Sequence, residues 1–321
     1  MKTITLFLAL AVVAAAADYP EAEISNGVLR LKLLLPDAKN GYYRGTRFDW
    51  SGAISSLQFQ GHEFFGRWFE KYDPKTHDAI QGPVEEFFVE GKAIGYDEAK
   101  PGENFVKIGV GAIRKPEEKA YDHFKTYEIA DNGKWTVKVN RDSVVYTQAL
   151  ADTNGYAYAY RKTIRLVPGK PEMVLEHSLK NTGKKPLATS VYEHNFYMLD
   201  QQPAGPDYIV RFPFDVHPQA DLQGAAEARG KEFTYLKDVV QGKSVFTQMT
   251  GFGDSPHDYD IRVENRKAGI GVRQTSDHPI TRLMFWSIRS TVCPEAYIDV
   301  KAGPGQETNW KIDYVFYTLP H

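Results

Sequence analysis

Ala157-Tyr158-Ala159-Tyr160-Arg161-Lys162-Thr163-Ile164-Arg165-Leu166 runs with a period of two, one set of side chains for a core and the other for solvent. That is the signature of a half-buried β-strand, because successive side chains on an extended chain point to opposite faces. Working outward, the same alternation recurs at residues 28–33, 135–139, 173–179, 260–264 and 310–317. Gly, Pro, Asn or Asp closes the segments, as strands joined by turns require. Asn181-Thr182-Gly183-Lys184-Lys185-Pro186 links two apolar runs, and Asp131-Asn132-Gly133-Lys134 reads as a hairpin turn. Long helical periodicity is nearly absent; the Ala-rich stretch 223–229 predicts one short helical turn. The expected fold is all-β, a large antiparallel sandwich. No Ser/Pro-rich linker or charge block interrupts it, so residues 18–321 are read as a single domain. The polar stretches 91–104 and 201–207 are expected as surface loops framing a cleft.

Composition narrows the function classes. The 39 Lys and Arg against 41 Asp and Glu give a formal charge of -2, which supplies no basic field for nucleic acid or an anionic lipid surface. The single cysteine, Cys293, excludes an internal disulfide, a multi-cysteine zinc site and an iron–sulfur cluster. Residues 1–17 open with Met1-Lys2, continue as an apolar run and end in small residues at an A-x-A site, the layout of a signal peptide. The run is shorter than the ~20 residues a bilayer span needs, and no second such run follows. The expectation is cleavage after Ala17, no membrane span in the mature chain, and a periplasmic or extracellular location.

No phosphate-cradling glycine loop, zincin helix, nucleophile elbow or EF-hand loop is present in the sequence. Two segments instead place titratable groups at the ends of apolar strands. One is Ser190-Val191-Tyr192-Glu193-His194-Asn195-Phe196-Tyr197-Met198-Leu199, and the other is Ser290-Thr291-Val292-Cys293-Pro294-Glu295-Ala296-Tyr297-Ile298-Asp299. A carboxyl near ~4.3 and an imidazole near ~6.5 suit chemistry in which one group is ionised while the other holds a proton.

At these residues the sequence resembles the aldose 1-epimerase (galactose mutarotase) superfamily. The first signature reads His194-Asn195-Phe196-Tyr197-Met198-Leu199. The second reads Cys293-Pro294-Glu295, followed by Ala302-Gly303-Pro304-Gly305 and a strand through Tyr314-Val315-Phe316. Gly52-Ala53-Ile54-Ser55-Ser56-Leu57 and Gly61-His62-Glu63 fit the opening of that fold loosely. The resemblance implies a β super-sandwich with a sugar site on its concave face. It implies an isomerase interconverting the α and β anomers of a free sugar or an oligosaccharide reducing end, with Glu295 as base and His194 as acid. It needs no cofactor and no metal, although oxygen ligands from distant loops leave calcium open.

The family also supplies a second histidine and an early arginine to the sugar. His77 is the first candidate for the histidine, with His123 next; Arg47 is preferred to Arg44 for the arginine, since a guanidinium fork suits paired hydroxyls. Trp286 is a candidate stacking surface, with Trp50, Trp68 and Phe69, though core packing is the commoner role for each. Where many members carry Asn before the histidine, this chain has Glu193. Its carboxylate either holds the imidazole protonated from within ~4–6 Å or faces the other side of the strand. Two further functions fit the same fold: a polysaccharide lyase using Arg44, Arg47, Lys125 or Tyr192 against a uronate, and a non-catalytic carbohydrate-binding protein. The sugar's identity and the oligomeric state are not written in the sequence.

Overall fold

The structure is a computed structural model that describes residues 19–88 and 91–320; the expected signal peptide lies outside them. Among the described residues antiparallel strands dominate, and the helical content is two short 3-10 turns, Leu199–Gln201 and Pro256–Asp258. The strands form sheets of ten, six, four and three strands. The ten-stranded sheet is centred on Ile270–Ser276, Glu307–Thr318, Glu172–Asn181 and Tyr156–Leu166. The six-stranded sheet runs His217–Pro218, Ser244–Thr250, Arg282–Ile288, Thr291–Ala302, Leu187–His194, Val84–Phe87.

These two sheets pack face to face because each strand offers one apolar set of side chains to the other. Tyr160, Leu175 and Trp310 from the large sheet share one core with Val191, Ala296 and Ile298 from the six-stranded sheet. Phe87 meets the Trp310 ring edge-on at 6.1 Å. The outer ends of the six-stranded sheet behave differently. Along Leu187–His194 the burial alternates to Ser190 and then becomes continuous from Val191 to His194. Thr291–Ala302 shows the mirror pattern, continuously buried from Thr291 to Ile298 and alternating afterwards. Both faces are covered where these halves lie side by side, and that is where His194 and Glu295 sit.

Three local expectations are corrected. The segment 223–229 holds no helical turn: Ala226–Arg229 is a strand paired with Glu232–Tyr235, because ladder hydrogen bonds outweigh the modest helix preference of alanine. The Asp131-Lys134 turn closes no hairpin. Ile129–Asp131 belongs to the three-stranded sheet and Lys134–Val139 to the edge of the ten-stranded one, so the turn carries the chain between sheets. The stretch 91–104 folds over its own buried Ala93, Ile94, Tyr96 and Ala99 rather than framing the cleft.

Gly82 precedes the edge strand Val84–Phe87, and a Cβ there would lie 2.5 Å from the carbonyl oxygens of His194 and Asn195. Only glycine admits this backbone-to-backbone approach. Gly82→Ala is expected to destabilise the protein by about 1–3 kcal/mol, as overpacking does; urea unfolding measures it, and an unchanged midpoint would refute the tight approach.

Candidate active site

Strand register builds the site. Tyr192 pairs with Tyr297, Met284 with Glu295 and Trp286 with Cys293, and Phe246 with Trp286. Residues two apart share a face, so Tyr192 and His194, Glu295 and Tyr297, and Arg282, Met284 and Trp286 all project from one side of the six-stranded sheet. They floor a cavity of about 540 Å³, walled by Arg47, Trp68, Asp78, Phe88, His123 and Phe124 from the loops above. That volume is of the size that encloses a small ligand.

His194 and Glu295 meet there, Nε2 to Oε1 at 3.3 Å. The imidazole is only 4% exposed because aromatic rings enclose it: Phe196 stacks on it at 3.8 Å, and Phe48 and Trp286 meet it edge-on. Burial disfavours charge on both partners. It pushes the His194 imidazole down to about 3, helped by the positive Arg47. It pushes the Glu295 carboxyl up to about 8, against the pull of Arg47. The imidazole Nδ1 has no hydrogen-bond partner among the described residues, and the Asp78 and Glu86 charges, which favour the imidazolium, do not overcome burial. The free pair therefore holds one proton at neutral pH, and holds it on the carboxyl.

Arg47 is fixed by a buried network. Its Nε donates to Glu86 Oε2 at 2.8 Å, its other nitrogens to Asp78 and, at 3.2 Å, to the Tyr192 hydroxyl. Glu86 is fully buried and also receives Tyr192 Oη at 2.6 Å, Lys107 Nζ at 3.2 Å and the His123 ring at 3.1 Å. Burial alone would raise its pKa, but Arg47 and Lys107 hold the carboxyl well below the usual range. The network presents a positioned guanidinium to the cavity.

Of the residues named from sequence, His194, Glu295, Arg47 and Trp286 come together in this cavity, and Trp68 joins them. His77 does not line it; its ring lies 2.9 Å from Asp78 and packs edge-on against Phe124. The histidine that faces the cavity is His123, stacked on Phe88 at 4.8 Å. Arg44 turns away and donates to the Lys39 carbonyl at 2.8 Å. Trp50 is core, its indole N–H held by the Gly45 carbonyl. The stretch 201–207 does not reach this cavity; Gln201 and Pro203 line a neighbouring one with Phe69. Sequence reading missed Asp78, Glu86 and Arg282. The available signal was Glu85-Glu86 inside an apolar strand, two acids that cannot both be solvated there.

Glu193 faces the opposite side. It pairs with Glu85 across the strands, and the two approach the inter-sheet core with Lys162, His177 and Asp49. Lys162 Nζ lies 2.5 Å from Glu85 Oε2, and His177 Nε2 2.7 Å from Oε1. Lys162 and His177 overcome burial and hold Glu85 down to about 2, whereas burial and the neighbouring Glu85 charge push Glu193 well up. Ligand atoms of Glu85, His177 and Glu193 lie within 4.8 Å of one another. The cation seated on this group is the Lys162 ammonium.

No protein-family model matches the chain, and no curated protein does. Solved structures do. A galactose mutarotase-like protein from Clostridium acetobutylicum superposes with a TM-score of 0.57 at 13% identity, over 94% of this chain and 96% of its own. An aldose epimerase homologue from C. elegans gives 0.56 at 12%, over 94% and 100%. A galactose 1-epimerase from Lactobacillus acidophilus gives 0.52 at 10%, over 94% and 95%. The chain has the galactose mutarotase-like fold. Among the described residues no helix is long and apolar enough to cross a membrane.

The paired titration predicts a stability slope. The folded protein keeps the Glu295 proton from the ordinary 4.5 up to about 8, so this group's contribution is complete below 4.5 and is lost as pH rises. His194 acts oppositely between about 3 and 6.5. The two offset each other between 4.5 and 6.5, leaving Glu295 alone from there to 8. Stability is expected to fall across that interval by up to about 1.4 kcal/mol per pH unit, and Glu295→Gln to flatten the fall. Chemical denaturation at several pH values measures this; an identical slope in wild type and variant would refute it.

Lys162→Met tests the inner cluster. Leaving Glu85 buried without its cation is expected to cost about 3–5 kcal/mol, read as a lowered denaturation midpoint.

Proposed function

We propose that this protein is an aldose 1-epimerase-like isomerase that interconverts the anomers of a free sugar, and that residues 1–17 direct its export. The observation that carries the reading is the His194–Glu295 contact at 3.3 Å on the floor of an aromatic cavity of about 540 Å³. An aromatic wall suits the apolar face of a pyranose, and the polar floor suits its hydroxyl edge.

The reaction needs one proton and two sites for it. With the proton on His194, the Glu295 carboxylate takes the O1 proton while the imidazolium gives its proton to the ring oxygen. The bond from C1 to the ring oxygen breaks and C1 becomes an aldehyde. Rotation about C1–C2 and the reverse transfers close the ring on the other face. In the open-chain stage Glu295 is protonated and His194 neutral, which is the distribution that burial favours in the free site. The same environment that costs the cyclic complex an internal proton shift across the pair therefore stabilises the open-chain intermediate. Arg47, immobilised by Glu86, Asp78 and Tyr192, places a fixed positive charge beside the sugar without having to be ordered at each turnover.

Proton NMR of freshly dissolved α-glucose and α-galactose, with and without protein, tests the proposal. Faster approach to anomeric equilibrium is expected, with a loss of two orders of magnitude or more in His194→Ala and in Glu295→Gln, the scale of acid–base catalysis. No acceleration across a panel of aldoses would end the reading. The rate should fall above about pH 8, where the pair loses its shared proton, and stay level down to pH 5; an acid limb near 6.5 would mean an ordinary, solvated imidazole and contradict the enclosed pair.

A further inference from the structure

The cations near the cavity are not alike. Arg47 and Lys107 are paired with Glu86, and Lys162 behind the sheet with Glu85. Arg282 lines the cavity, yet among the described residues it has no carboxylate within 4 Å and no side-chain hydrogen bond. Its guanidinium lies 5.3 Å over the ring of Tyr297, and that ring stacks on Tyr192 at 4.3 Å. The group is thus half-buried and held by an aromatic platform, with its donor fork unused. A partly desolvated guanidinium favours a nearby anion, and the pocket's own carboxyl that acts on it, Glu295, does so through space without a contact.

Position adds a second constraint. Arg282 pairs with Tyr297, and Met284 with Glu295, so Arg282 stands two residues along its strand from the Glu295 row, roughly 6.6 Å at the usual rise. A pyranose whose anomeric oxygen is at Glu295 reaches that far with a substituent on the opposite part of its ring. One unpaired guanidinium matches one planar monoanion through two parallel hydrogen bonds. A phosphate, with a charge near -1.5 to -2 and three acceptor oxygens, would call for further unpaired donors, and Arg47 has its nitrogens committed to Glu86, Asp78 and Tyr192.

We propose that Arg282 is the specificity residue for a sugar carboxylate, and that the substrates are uronic acids. This rests on the epimerase reading and deepens it. The carboxylate seats on Arg282 above Tyr297, the ring lies against the aromatic wall, and the anomeric carbon falls at Glu295 and His194.

The test measures anomer interconversion of glucuronate, galacturonate, glucose, galactose and glucose 6-phosphate by wild type, Arg282→Gln and Arg282→Lys. Uronates are expected to exceed their neutral parents in kcat/KM by about tenfold or more, the worth of a charge-assisted pair. That ratio should collapse about tenfold in Arg282→Gln and recover in part in Arg282→Lys. A ratio near one in wild type, or one unchanged in Arg282→Gln, would overturn the proposal, and a preference for the phosphate over the uronates would overturn the choice of carboxylate. If no sugar is interconverted, the epimerase reading falls, and calorimetric titration with glucuronate then decides the role of Arg282. Salt-sensitive binding that is lost in Arg282→Gln supports it; absence of binding refutes it.

Discussion

Two consecutive glutamates on one short strand organise the molecule. Val84–Phe87 pairs with Leu187–His194 so that Glu85 sits opposite Glu193 and Glu86 opposite Tyr192. Extended backbone sends neighbouring side chains to opposite faces. One carboxylate therefore enters the space between the sheets, where Lys162 and His177 meet it, and the other enters the floor of the cavity, where Arg47, Lys107, Tyr192 and His123 meet it. A slip of one residue in this register would exchange the two and leave both sets of partners unmatched.

The sandwich was legible because sheet periodicity is local: the alternation in 157–166 needs no knowledge of what pairs with it. His194 and Glu295 were legible as titratable groups ending apolar strands. Their supporting residues were not, because register joins positions far apart in the chain; Glu86 and Tyr192 are 106 residues apart. The choice between His77 and His123 turned on loop paths, which carry no period. Tertiary pairing likewise decided the Ala226–Arg229 strand against its composition. Arg282 looks in sequence like any strand arginine facing solvent, and only the absence of a contacting carboxylate among the described residues, a property of the folded molecule, sets it apart.

The His194–Glu295 pair also shows how burial shifts a proton between neighbouring groups. Enclosure by Phe48, Phe196 and Trp286 deprives His194 of solvent that would keep it protonated, and the same enclosure retains a proton on Glu295. An exposed pair would titrate near its ordinary values and lie as an ion pair. The enclosed one keeps its proton on the Glu295 carboxyl and leaves the His194 imidazole neutral.

The inner cluster has a bearing on how the chain closes. Asp49, Glu85, Glu193, Lys162 and His177 come from strands and loops well separated in sequence and are all buried. A half-docked sandwich would hold some of these groups away from water but not yet in contact with their partners, so intermediates of that kind are raised in energy relative to the fully open and fully closed forms. Docking of the two sheets thereby becomes steeply cooperative. Because Leu187–His194 carries Glu193 on one face and His194 on the other, the His194–Glu295 contact is tied to that docking.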